Sequence, residues 1–134
     1  MDSAESPSQD RRVEPRVQCP VLIVEDDEDL REMMAQMLTI EGFEATTVAN
    51  GREALEYLQT AARPHVILLD LMMPVMDGWE FRRRQQADPD IAPVPVIVLS
   101  ALDPARAATV DAAAFLKKPL DFDRLLELVR QHCR

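Results

Sequence analysis

Glycine is scarce in this chain: three residues in 134, Gly42, Gly51 and Gly78, none near another. No glycine-rich loop can therefore wrap a phosphate with backbone amides. Positive charge is also short, with 15 Lys and Arg against 24 Asp and Glu, a net charge of -9 and a pI near 4.6. A nucleic-acid surface needs clustered cations, so direct binding of nucleic acid is not expected. Long apolar runs are missing, the longest being strand-length and far below the ~20 residues of a membrane span. The polar N-terminus has no apolar signal-peptide core, so a soluble, cytoplasmic chain is expected. Only two cysteines are present, Cys19 and Cys133, near opposite ends of the domain, and they make no metal-type cluster with His65 and His132. In a cytosolic chain they are expected to be reduced structural thiols.

What is there is an alternation. Residues 1–18 hold Ser, Pro, Gln and mixed charges with almost no large apolar side chains, and are expected to form a flexible tail. The tail has four acids and three arginines, a net of -1, which leaves -8 on residues 19–134, the expected folded domain. From Pro20 onward, strand-like apolar runs alternate with segments of helical period, the pattern of a parallel sheet with crossover helices. The strands expected are Val21–Val24, Glu44–Ala49, Val66–Asp70, Val94–Ser100 and Ala114–Lys117. Leu30, Met33, Met34, Met37 and Leu38 lie on one face of a first helix, with Gly42 as its C-terminal cap. Asn50 reads as the N-cap of a second helix ending near Arg63-Pro64, and a third begins after Gly78. A short fourth fits between Pro104 and Val110, and Phe122, Leu125, Leu126 and Val129 mark the fifth.

Four strands end in polar groups that suit one another. The first runs into Glu25-Asp26-Asp27, the third closes on Asp70, the fourth on Ser100, and the fifth on Lys117-Lys118-Pro119. Open α/β sheets place their chemistry just outside the carboxyl ends of the strands. If the strands are parallel, acids, a candidate nucleophile, a hydroxyl and an ammonium meet at one edge. Carboxylates crowded near Asp70 repel one another unless a cation relieves them, and magnesium, a hard ion that takes one or two carboxylates and a phosphate oxygen, suits Glu25 and Asp26. Glu28 and Asp29 need no such explanation, since acids are favoured at a helix N-terminus. The lysines are pointed: thirteen arginines serve the rest of the chain, and the only two lysines are adjacent here. A compact ammonium aimed at one anion is implied. Adjacent strand residues face opposite ways, so one of the pair points inward, and Lys118, beside Pro119, is the choice. Ser100 adds a donor for a phosphoryl oxygen.

Glu25-Asp26, Asp70 with Met73-Pro74 and Asp77-Gly78, Ser100-Ala101 and Lys118-Pro119 stand in the order of the signature of bacterial response regulator receiver domains. The chain resembles that family over roughly residues 19–134. The resemblance implies a flavodoxin-like, doubly wound (βα)5 fold with strand order 2-1-3-4-5. It implies that Asp70 accepts a phosphoryl group from a histidine kinase or phosphotransfer protein. Glu25, Asp26, Asp70 and the backbone carbonyl of Met72 would hold Mg2+, Ser100 and Lys118 would grip the phosphoryl oxygens, Phe115 would be the switch aromatic, and the Lys118-Pro119 bond would be cis. A downstream protein would read the face made by the fourth helix, fifth strand and fifth helix.

Two departures stand out. The stretch from Ser100 to Phe115 is about one helical turn, roughly four residues, shorter than the family pattern, with Asp111 where glycine is usual, so the fourth helix is expected to be shortened. Met72 and Leu102 stand two residues beyond the acceptor and the hydroxyl, where the family often has polar groups that orient a hydrolytic water; slow self-dephosphorylation is expected. Two other readings compete. A phosphohydrolase of the haloacid dehalogenase type wants a second acid where Met72 stands. A degenerate receiver would dock a partner without phosphorylation, since fold alone does not guarantee activity.

Overall fold

A computed structural model of the chain describes residues 19–60 and 63–133. The tail expected over residues 1–18 lies outside them. Five strands, β1 (Pro20–Val24), β2 (Glu44–Val48), β3 (Val66–Asp70), β4 (Val96–Ser100) and β5 (Ala114–Lys117), alternate with α1 (Glu28–Ile40), α2 (Gly51–Thr60), α3 (Gly78–Ala87), α4 (Pro104–Ala107) and α5 (Phe122–His132). All strand pairs are parallel and the order is β2-β1-β3-β4-β5. This is the doubly wound, flavodoxin-like sheet.

The strand period of two builds two cores from one sheet. Leu22, Val24, Ile67, Leu69, Val96 and Val98 point to one face, where Ala54 and Leu58 of α2, Phe81 of α3 and Ala107 of α4 cover them. Val21, Ile23, Val66, Leu68, Ile97 and Leu99 point to the other, under Met34 and Leu38 of α1 and Leu125, Leu128 and Val129 of α5. Burial on both faces is why β1, β3 and β4 read as continuous apolar runs.

Local chemistry sets the helix ends. Asp27, Asp77, Asp103 and Asp121 each cap a helix by accepting an N–H three residues on. Asn50 caps α2 by accepting the Glu53 N–H at 3.0 Å, and the Glu53 carboxylate reaches back past the cap to the Ala49 N–H at 2.8 Å. That bond takes the Ala49 donor, so β2 stops at Val48 rather than at Ala49. Gly42, at φ 97°, closes α1 with the paired bonds Gly42 N–H to Thr39 and Phe43 N–H to Leu38 of a Schellman motif.

Two further expectations need correction, and the fourth helix is short as expected. β4 begins at Val96, not Val94: Pro95 has no N–H to give, and the Val94 carbonyl accepts from the buried Gln85 amide at 3.0 Å. α4 is a single turn ending at Ala107. Thr109 is held outside it, its hydroxyl bonded to the Arg106 carbonyl and to the Trp79 indole, while Arg82 takes the Asp111 carbonyl at 2.7 Å. Finally, Cys19 and Cys133 are not free thiols but a disulfide, with Cα atoms 5.8 Å apart. β1 starts and α5 ends at the same sheet edge, so residues 114 apart in sequence meet there.

An acidic cleft at the carboxyl ends of the strands

β1 and β3 are neighbours in register, with Val24 opposite Leu69, so Glu25 and Asp70 leave the sheet side by side. Carboxylate oxygens of Glu25, Asp26 and Asp70 lie within 4.8 Å of one another. Glu25 is fully buried and Asp70 is 4% exposed, whereas Asp26 is exposed. Such a set of hard oxygen donors, part buried and part open to solvent, suits a small divalent cation.

Lys118 enters from the end of β5. Its Nζ lies 2.8 Å from Glu25 Oε1 and 3.4 Å from Asp70 Oδ1, while Lys117 is exposed. The Lys118-Pro119 peptide is cis. Glu25 is fixed on every side: Oε2 accepts the Asp27 N–H at 3.1 Å, its own N–H donates to the Val48 carbonyl, and its carbonyl accepts from Arg31 at 2.9 Å. Sequence reasoning missed Arg31, which sits in the acidic first stretch of α1 and carries no motif of its own.

Ser100 is 3% exposed at the end of β4, one residue beyond the Asp70–Leu99 register pair. Its Oγ accepts the Leu102 N–H at 2.9 Å, which leaves the hydroxyl proton to donate. Phe115, 43% exposed on β5, borders a cavity of about 190 Å3 with Ser100, Leu102, Pro104 and Ala107. The Met72 side chain is exposed. Thus Asp70, Glu25, Asp26 and Lys118 form one contact group, and Ser100 and Phe115 flank it on β4 and β5.

The loop after Asp70 is held by glycines. The Gly78 N–H donates to the Leu71 carbonyl at 2.9 Å, and the Gly51 N–H to the Met76 carbonyl at 3.0 Å. A Cβ on Gly78 would lie 2.7 Å from the Asp70 carbonyl oxygen and 2.8 Å from Leu71 Cα. The sequence shows Asp77-Gly78 as a turn; the close approach to the acceptor strand is visible only in three dimensions. Between these anchors Val75 has φ 70°, a strained conformation for a β-branched residue, with the Met76 N–H donating to the Pro74 carbonyl at 2.7 Å.

Burial pushes the Asp70 carboxyl up to about 7, and the Glu25 charge pushes the same way, as do hydrogen bonds with Asp26 and Glu25; Lys118 opposes them. For the Lys118 ammonium, burial acts downward, but the hydrogen bond to Glu25 and the charges of Asp70 and Glu25 outweigh it and hold it above its ordinary value. Because the folded Asp70 titrates above its unfolded value, its contribution to stability is fully present below about pH 4 and is lost as pH rises toward about 7. In metal-free buffer the Asp70 contribution therefore lowers the urea midpoint between about pH 5 and 7, and a divalent cation restores it. A midpoint that responds equally to pH with and without the cation would contradict this.

The family model of the response regulator receiver domain matches residues 21–130. The chain belongs to the response regulator receiver family. Response regulator MprA of Mycolicibacterium vanbaalenii is 36% identical over 114 residues, which cover 82% of this chain and 48% of that protein. The receiver therefore spans about half the length of that relative. A 14.6 kDa protein from the sodA1 3' region of Leptolyngbya boryana is 36% identical over 122 residues, covering 87% of this chain and 91% of its own. Among solved structures, the chemotaxis response regulator CheY4 of Vibrio cholerae superposes with a TM-score of 0.78 at 33% identity, covering 86% of this receiver and 98% of that chain. The receiver domain of a sensor histidine kinase from Pseudomonas aeruginosa PAO1, solved with magnesium coordinated in its active site cleft, gives 0.79 at 28% identity, covering 87% and 98%.

Proposed function

We propose that this receiver accepts a phosphoryl group on Asp70 from a phosphohistidine of a sensor kinase or phosphotransfer protein, in a Mg2+-dependent reaction, and thereby switches a protein-binding face. The observation that carries the reading is the buried Asp70 carboxylate with the two acids that follow β1, Glu25 and Asp26, within 4.8 Å and the Lys118 ammonium at 3.4 Å. Two-component signalling in the cytoplasm is the setting this implies.

Glu25, Asp26, Asp70 and the Met72 backbone carbonyl would hold Mg2+, which neutralises the crowded acids and the incoming phosphoryl charge. Three carboxylates with one titrating near 7 fit that ion. An Asp70 oxygen attacks phosphorus as the P–N bond breaks, and the imidazole leaves with the bonding pair and takes a proton. Lys118 and Ser100 contribute preorganised donors to the phosphoryl oxygens. Lys118 then shifts from Glu25 toward the new dianion, and Ser100 exchanges its Leu102 contact for a phosphoryl oxygen. With Ser100 drawn inward, Phe115 is the side chain positioned to fill the cavity beside it. This biases the face formed by α4, β5 and α5, where a protein effector reads the state.

The chain acts as a signalling domain whose chemistry is confined to its own phosphorylation and slow dephosphorylation. The position two residues beyond Asp70, where a phosphohydrolase of that type carries its second acid, holds Met72, which is apolar and turned to solvent. Acetyl phosphate with Mg2+ should add one phosphoryl group by intact mass, and EDTA should prevent it. After donor removal, the mark should decay several-fold more slowly than in a Met72→Asn, Leu102→Glu variant. Failure to gain mass under any donor would favour the degenerate docking module instead.

A further inference from the structure

The parallel sheet has two edges with different contents. Strand C-termini face the acidic cleft, and strand N-termini face the Cys19–Cys133 disulfide. Cys19 immediately precedes β1 and is buried; Cys133 is the C-cap of α5 and is half-buried. They are the only cysteines in the sequence, so the pair has two states, bonded and open, with no competing thiol. The bond spans 114 residues, nearly the whole domain, so opening it changes the freedom of the unfolded chain more than a short loop would. In the folded state it anchors the last turn of α5. Among the described residues, that turn is also held by the packing of Leu128 and Val129 and by the surface pair Arg130–Glu41 at 2.7 Å, a weak interaction.

We propose that Cys19–Cys133 is a reversible thiol–disulfide site that exchanges with small-molecule thiols and disulfides of the glutathione type, and that its state sets how firmly the C-terminal half of α5 is held to β1. The more accessible sulfur is that of Cys133. A reagent thiolate attacks it, a mixed disulfide forms, and the Cys19 sulfur leaves with the electron pair of the broken S–S bond and takes a proton. A second reagent thiolate displaces Cys133, which is also protonated, and the two reagent thiols depart as their disulfide. The domain gains two electrons and two protons; the oxidised reagent reverses both steps. Lys118 and the Asp121 cap lie at the far end of α5, so phosphoryl acceptance is unchanged. Because α5 is a wall of the partner-reading face proposed above, loosening it weakens effector docking; that consequence rests on the proposed function, whereas the readouts below do not.

The test uses the full chain equilibrated with oxidised or reduced glutathione, with free thiols trapped by N-ethylmaleimide and counted by mass. The oxidised sample should take up no label and the reduced sample two. Reduction should lower Tm by about 10 °C or more and speed amide exchange several-fold over residues 125–133 through local opening, while β3, the buried central strand, exchanges by global unfolding and follows the Tm. A Cys19→Ser, Cys133→Ser double variant should match the reduced protein and ignore the redox buffer. Two labels after treatment with excess oxidised glutathione would overturn the proposal, as would oxidised and reduced forms with equal Tm and equal exchange in α5.

Discussion

Replacing Asp70 with Asn abolishes phosphoryl uptake and, in EDTA at pH 7 to 8, raises the stability of the fold. Both effects come from one oxygen. The amide keeps the size of the side chain but offers no anionic nucleophile, so acetyl phosphate adds no mass. The charge it removes is one that burial and Glu25 disfavour, enough to raise the acid from 3.8 to about 7. Each unit corresponds to about 1.4 kcal/mol, so the stabilisation is of the order of a few kcal/mol, the opposing attraction to Lys118 being already contained in that rise. The advantage shrinks below about pH 5, where wild-type Asp70 is protonated, and shrinks again when Mg2+ is added to the wild type. Urea midpoints for the two proteins at pH 5 and pH 8, each with and without the ion, measure all of this. A variant that is less stable than wild type in EDTA at pH 8 would mean that Lys118, not crowding, dominates the site.

Gly78→Ala costs about 2 to 3 kcal/mol, the upper part of the range for overpacking, because the atoms it meets cannot move aside. The added carbon would meet the Asp70 carbonyl oxygen at 2.7 Å and Leu71 Cα at 2.8 Å, both main-chain atoms. α3 must back away from β3 at the acceptor, so the surviving folded protein takes up phosphoryl more slowly as well. Gly51→Ala is the control. Its nearest neighbour is also a carbonyl, that of Met76 at 2.9 Å, but the next are the side-chain atoms Met76 Cγ and Phe81 Cβ at 3.0 Å, and none of the three belongs to Asp70 or Leu71. Denaturant midpoints should rank wild type above Gly51→Ala, and Gly51→Ala above Gly78→Ala. The reverse order of the two variants would remove the special role given to the Gly78 approach.

Much of the sheet was legible because burial on both faces writes itself as uninterrupted apolar runs, and the residues that end those runs are the ones brought together. Val21–Val24 and Val66–Asp70 leave little choice of strand, and the parallel register then carries Glu25 to Asp70. The scarcity of lysine made Lys118 conspicuous before its 2.8 Å contact with Glu25 was known. What escaped was decided by contacts between distant segments. The extent of α4 depends on Trp79, Arg82 and Gln86 of α3, which hold Thr109 and Asp111 away from helical geometry. Val94 looks like a strand residue, yet Gln85 and Pro95 keep it in the connection. The cysteines looked remote because sequence distance hides the return of α5 to the start of β1. Lys118 sitting closer to Glu25 than to Asp70 likewise depends on side-chain geometry that no spacing rule contains.

The most direct measurement is to locate the phosphoryl group chemically. The chain is loaded with acetyl phosphate and Mg2+, reduced with borohydride, which converts an aspartyl phosphate to homoserine, and mapped by peptide mass spectrometry. The account predicts homoserine at position 70 alone. A mark that resists borohydride, or that maps to Ser100, a histidine or another carboxylate, would contradict it.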